Sequence, residues 1–262
     1  MDLGLKDRVA IVAASSQGIG RATALAFAAE GCKLAICARN SEALRRVADE
    51  IEHRHGAEVL AQVADVSDPH AVQRFVGAVG KRFGRIDICV TNAGGPPAKP
   101  FLEIDSDLWR RAFELNLLSV ISFAREVIPW MQQRKWGRII TVTSLSTRQP
   151  LPDLILSNTI RTGVLGLVRS LANDFGRDGI LVNNVGPGAT RTERFEQISA
   201  GRARASGRSK EDVIANFVND TATGRLGEPE EVAAAIVWLA SERANSITGQ
   251  TVLTDHGSYR GL

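Results

Sequence analysis

The chain has 262 residues, 44% hydrophobic and 23% charged, the balance of an ordinary globular domain that buries its core without cross-links. A net charge of +3 is too small to argue for nucleic acid, and no apolar run approaches the ~18 residues of a membrane span. Three cysteines, Cys32, Cys37 and Cys89, have no zinc-like spacing, Cys37 and Cys89 lie in apolar strand-like runs, and the N-terminus lacks an export signal, so the expectation is a cytoplasmic protein in which Cys37 and Cys89 are buried reduced thiols, with no metal site.

Along the chain, short apolar runs alternate with longer helical patterns. "RVAIVAA" (Arg8–Ala14) predicts a buried strand and "GRATALAFAAEG" a helix ending at Gly31. "KLAICA" is a second strand, followed by a charged helix over Ser41–His55. "EVLAQVADV" (Glu58–Val66) is a third, before a helix over Pro69–Phe83. "IDICVTNAG", "RIITVTS" and "ILVNNVGPG" are the fourth, fifth and sixth, the last two preceded by long helices near Asp107–Gln133 and Ile155–Phe175. This order predicts one doubly wound α/β domain with a parallel, Rossmann-type sheet, in which ligands sit beyond the carboxyl ends of the strands. No linker or repeat divides residues 1–262.

"AASSQGIGRA" (Ala13–Ala22) follows the first strand. Ser15, Gln17, Gly18, Ile19 and Gly20 form a loop whose glycines let backbone amides approach a pyrophosphate at a helix N-terminus; by itself the pattern is also that of a tight turn. "SSQGIG", "TNAG", "ELN", "TVTS", "VGPGATRT", "RLGEPEEVA" and "ITGQ" then appear in order. Together they resemble the short-chain dehydrogenase/reductase family, most closely its 3-oxoacyl-acyl-carrier-protein reductase-like members. Ala13 and Ala14 replace the Thr-Gly that usually opens the family's glycine motif. A side chain there is strained at positive φ, so the expectation is a slightly altered turn with cofactor binding retained.

The resemblance implies a nicotinamide dinucleotide cofactor. Asp65 and Val66 would flank adenine, and Asn92, with Ala93 and Gly94, would meet the adenosine ribose side. Pro187 and Gly188, with Thr190 or Thr192, would hold the carboxamide. At the end of the second strand, Ala38 stands in the place of an acid and Arg39 follows it, which favours NADP(H) over NAD(H) because a guanidinium suits a phosphate monoester. Gln17 stands where many NADP-binding relatives carry a second basic residue.

Asn116 and Ser144 match the family's water-holding asparagine and carbonyl-orienting serine. At the family's tyrosine and lysine, however, stand Ser157 and Arg161, in "LSNTIRTGVLGL". Arg161 keeps a permanent charge and donors for ribose hydroxyls. Ser157 is a far poorer acid than a phenol and leaves room for a water. Other candidates for the missing proton donor are Arg148 and Asp153 in the intervening loop, His256, and Tyr259, the single tyrosine; His53 and His55 read as a solvated face.

Residues 189–222 have the length and polarity of a substrate lid, with Arg191, Arg194, Arg202, Arg204, Arg208 and Lys210 against three acids up to Glu211. Either this is a solvated helix pair, or it recognises an anionic substrate such as a carrier-bound acyl group. The leading expectation is an NADP(H)-dependent oxidoreductase acting on a small carbonyl/alcohol pair through an atypical proton relay, with no nucleic-acid or membrane partner. A catalytically impaired nucleotide-binding sensor or scaffold is the alternative, and carbonyl chemistry without net hydride transfer a third. The resemblance implies a homotetramer.

Overall fold

The computed structural model describes residues 1–261. Seven parallel strands, β1 Val9–Ala13, β2 Lys33–Ala38, β3 Val59–Val63, β4 Ile88–Thr91, β5 Gly137–Val142, β6 Ile180–Pro187 and β7 Thr251–Thr254, form one sheet in the order β3-β2-β1-β4-β5-β6-β7. β1 pairs with both β2 and β4, so the chain reverses direction across the sheet there, and a crevice opens above the strand ends at that switch point.

Both faces of the sheet are covered, which is why the strands read as continuous apolar runs instead of alternating. On one face, α1 (Gly18–Ala29), α2 (Ser41–His55) and α9 (Pro229–Ala240) bury Phe27, Leu44, Ile51 and Ile236 against Ala10, Val12, Leu34 and Ile140. On the other, α3 (Pro69–Phe83), α5 (Ser119–Gln132) and α6 (Ile155–Phe175) bury Phe75, Phe123, Met131 and Val168 against Val9, Ile11, Cys89 and Ile139. Two buried polar side chains beside and within the sheet are hydrogen-bonded. The fully buried Asp87 accepts from the Val9 amide at 2.8 Å and from Arg85 at 2.6 and 2.8 Å. Asn183, buried in β6, donates to Ile247 O at 2.8 Å and accepts from the Gln250 amide at 3.0 Å, fixing "ITGQ" ahead of β7.

Three elements depart from expectation. The third and fourth strands stop at Val63 and Thr91, because Ala64–Val66 and Asn92–Gly94 leave the sheet to line the crevice. The helix expected over Asp107–Gln133 begins as α4 (Ser106–Phe113), capped by Asp105, widens into a π-helical turn at Glu114–Leu118 and continues as α5. Residues after β6 form two helices, α7 (Glu193–Ser206) and α8 (Lys210–Asn219), joined by an edge-on contact of Phe195 with Phe217 at 5.1 Å.

Burial pushes the thiols of Cys32 and Cys37 up to about 12 and that of Cys89 higher still. All three therefore stay protonated near neutrality, and a thiol reagent at pH 8 is expected to label none of them rapidly in the native protein and all three in urea. Fast labelling of any one before unfolding contradicts this packing.

Candidate active site

The crevice above β1 and β4 is a cavity of about 630 Å³. Its floor is the turn between β1 and α1. Gly18 sits at φ +54°, and a Cβ on Gly20 would stand 2.2 Å from Ala14 O, so the first helical turn passes directly beneath the loop backbone. Ala14 takes φ +50°, the left-handed region itself, at a strain of about 1–2 kcal/mol. Two expected loop residues lie off the wall: Ser15 is fully buried, its hydroxyl donating to Val12 O at 3.0 Å, and Gly20 is buried beneath the loop, while Ser16 joins the wall beside Gln17, Gly18 and Ile19.

The dinucleotide fits this cradle. Nothing lies within 4 Å of a Cβ built on Gly94, so the cavity runs up to the backbone at the end of β4, beside Asn92 and Ala93. Across from it lie Asp65 and Val66; the Asp65 carboxylate is oriented by the Ser67 hydroxyl at 2.7 Å. At the far mouth, Ala38 presents no charge, and Arg39 is exposed with no acidic partner among the described residues. Pro187 and Gly188 form the wall at the end of β6, and the Gly188 amide is tied to Thr254 O at 3.1 Å. Thr190 donates to Gly188 O at 3.2 Å. Thr192 caps α7 by accepting from the Phe195 amide, and its methyl would lie 3.3 Å from a Cβ on Gly18.

Ser144, Ser157 and Arg161 share one wall. The Ser144 hydroxyl accepts from the Ser146 amide at 3.1 Å, which leaves its own proton free. The Ser157 hydroxyl is 3.1 Å from that of Ser146, a buried residue that sequence reasoning missed although it stands only two positions beyond Ser144. Arg161 is 7% exposed. Its Nη1 donates to Val142 O and Thr143 O at 3.1 and 3.2 Å, and its Nη2 to Ala93 O and Gly94 O, both at 3.3 Å. All the Nη hydrogens are thus directed at strand-end carbonyls, and Nε alone remains for another acceptor. Burial, with the like charge of Arg194, lowers this guanidinium to about 10, still charged at neutral pH.

Other sequence candidates lie elsewhere. Asn116 is buried in the π-helical turn one layer behind Leu115, its Nδ2 donating to Ala112 O and its Oδ1 unpartnered among the described residues. Arg148 and Asp153 are exposed and do not line the cavity; Asp153 occupies a turn at φ +62°. His256 faces a separate surface pocket, 3.3 Å from Glu231 and 3.0 Å from Thr223. The chain turns Tyr259 off the wall, although its neighbours Ser258 and Arg260 reach it. His53 and His55 are exposed on α2. Among the described residues, no three metal-ligating side chains cluster.

The remaining wall comes from α7, α8 and the C-terminal tail: Phe195, Ile198, Arg202, Phe217, Asp220 and Arg260. The tail residues have no local sequence signal; topology alone brings them there.

A family model described as enoyl-(acyl carrier protein) reductase matches residues 13–259. The chain is 32% identical to the oxidoreductase YvrD of Bacillus subtilis over 269 residues, covering 100% of both. It is 34% identical to the 3-oxoacyl-[acyl-carrier-protein] reductase of a Synechocystis species, covering 97% of each chain. Among solved structures it resembles L-sorbose reductase from Gluconobacter frateurii in complex with NADPH and L-sorbose, with a TM-score of 0.95, 30% identity and 100% coverage of both chains.

Arg161→Met strips the donor from carbonyls of both β4 and β5. It is expected to lower stability by about 2 kcal/mol or more in urea unfolding of the cofactor-free protein. An unchanged midpoint means those carbonyls do not depend on the guanidinium.

Proposed function

The chain belongs to the short-chain dehydrogenase/reductase family, and from that premise we propose that it is an NADP(H)-dependent oxidoreductase interconverting a carbonyl and a secondary alcohol, in which Ser157 and a bound water replace the family's tyrosine. The observation that carries this reading is the continuity of the site: Ser144, Ser157 and Arg161 line the same cavity as the glycine loop and Arg39.

Gln17, Gly18 and Ile19 would hold the pyrophosphate, Asp65 and Val66 the adenine, Asn92 to Gly94 the ribose side, and Pro187, Gly188, Thr190 and Thr192 the carboxamide. Arg39, beside the uncharged Ala38, supports the choice of the phosphorylated dinucleotide, as does the NADPH bound by the L-sorbose reductase relative. When bound, the reduced nicotinamide supplies a hydride to the carbonyl carbon.

Ser144 donates to the substrate carbonyl oxygen, which can only accept; its own oxygen accepts from the Ser146 amide, which leaves the hydroxyl proton free. Arg161, charged and desolvated, favours the negative charge that develops on that oxygen. Ser157, held by Ser146, orients the water that delivers the proton, and Asn116, with an unpartnered buried oxygen, holds a further water behind it. General acid–base catalysis is typically worth about 10²–10⁴-fold, so loss of the phenol slows this chemistry without removing hydride positioning or the oxyanion donor. The same reading takes residues 1–262 as a single dinucleotide-binding domain with residues 189–222 as its lid, assembled as a homotetramer. The engagement of every Arg161 Nη hydrogen with backbone favours the competing reading, a nucleotide-binding sensor or scaffold without turnover.

Single-turnover oxidation of NADPH with a panel of 3-oxoacyl thioesters, diketones and ring ketones separates the two. Ser144→Ala is expected to slow turnover by about 100- to 1000-fold with NADPH affinity unchanged. Undiminished turnover removes Ser144 from the mechanism, and no turnover in wild type despite NADPH binding supports the sensor. Ala38→Asp is expected to shift the NADPH/NADH preference toward NADH by about tenfold or more, read as the ratio of dissociation constants. An unmoved ratio discards the assignment of this corner to the 2′-phosphate.

A further inference from the structure

The cations of the lid are not equivalent. Arg191 is paired with Glu228 at 2.9 Å, Lys210 is paired with Glu196, and Arg204 and Arg208 are exposed away from the cavity. Arg194 and Arg202, two turns apart on α7, line it, with Phe195 and Ile198 between them. Among the described residues, neither has a carboxylate within ion-pair distance.

Each of these guanidiniums is held in place by a neutral partner. Arg194 Nη2 donates to Pro96 O, and a Cβ on Gly95 would approach its Nε to 2.9 Å. Arg202 Nη2 donates to Pro152 O at 3.0 Å, its Cζ lies 4.8 Å from the centre of the Phe217 ring, and its buried Nε has no hydrogen-bond partner among the described residues. Burial lowers the Arg194 pKa, and its charge in turn lowers that of Arg161, so the two cations share a desolvated space with no anion between them. Two acids lie on this part of the wall: Asp220 pairs with Arg260 at 2.9 Å, and Glu193, in the first turn of α7, lies within ion-pair distance of no cation among the described residues, Arg194 and Arg202 included.

Resting on the reductase reading above, we propose that the substrate carries its own free carboxylate, bound between Arg202 and Arg194 with an apolar chain or ring against Phe195, Ile198 and Phe217: the enzyme acts on a compact keto acid or hydroxy acid. A planar carboxylate matches the guanidinium fork, and it supplies the counter-charge that Arg194 and Arg202 lack. An acyl group on a large carrier would engage the exposed outer cations, Arg204 and Arg208, instead.

Calorimetry on the NADP⁺-loaded protein tests this without turnover, using 3-phenylpropanoate against its neutral isostere 3-phenylpropanamide. The acid is expected to bind about 10- to 100-fold more tightly, as for a desolvated charge-assisted pair. Arg202→Gln and Arg194→Gln each shrink that ratio, Arg202→Lys keeps part of it, and Arg204→Gln on the outer face leaves it intact. Equal binding of acid and amide by wild type, or a ratio that survives both glutamine variants, overturns the inference. NADPH oxidation with 4-oxo-4-phenylbutanoate and its amide is the second arm. Carboxylate preference in binding without any turnover leaves the acid site standing and defeats the reductase; turnover of neutral ketones with no preference for acids defeats the acid site alone.

Discussion

Two adjacent parallel strands end at the same level, and the carbonyls just beyond them point into an opening instead of into further sheet. The Arg161 guanidinium meets those of Ala93 and Gly94 after β4 and those of Val142 and Thr143 at the end of β5. Backbone groups of this kind must be satisfied wherever they are buried, and one planar, multi-donor cation does it for both strands. The carboxyl edge of the sheet can therefore stay open as a cavity and still be hydrogen-bonded. No carboxylate neutralises the charge among the described residues, so the depressed pKa of Arg161 is the record of its desolvation.

The rest of the site hangs on the same edge. Pairing of Thr91 with Thr141 brings β4 and β5 to a common end, so Asn92–Gly94 and Thr143–Ser144 both line the cavity that opens there. The Asp87 carboxylate anchors the opposite end of β1, where its Arg85 fork and the Val9 amide fix the start of the strand whose far end carries the glycine loop. The buried strands thus position the segments that line the cavity, and the strain at Ala14 is held by a turn clamped between a buried strand and a helix.

The first six strands and the glycine loop were legible because each rests on local pattern: apolar runs buried on both faces, and glycines where backbone passes close to backbone. Arg39 and Ala38 were legible for a similar reason, since a single position decides the charge at that mouth. The order of the strands within the sheet is set by pairing between distant segments and was not read. Ser15 was misread because its neighbour Ser16 is chemically identical and only the direction of the turn separates them. The π-helical turn around Asn116 was not read because it is a single turn, too short for a periodicity of its own between the flanking helical patterns. Ser146 was hidden by its function: it supports Ser157 from within the protein, out of reach of the cavity. Arg202, Pro152, Phe217 and Arg260 come from four separate segments, and no window of sequence contains their meeting.

The carbonyls around Arg161 also bear on how this chain can vary. A lysine ammonium offers three N–H donors on a flexible stem, fewer than the carbonyls that the guanidinium now serves, and it cannot span two strand ends in one plane. A lysine placed at 161 would therefore leave at least one of the four carbonyls without its donor, and the cost would fall on the backbone of two strands at once. The identity of residue 161 is set by the edge of the sheet as much as by the cavity it faces.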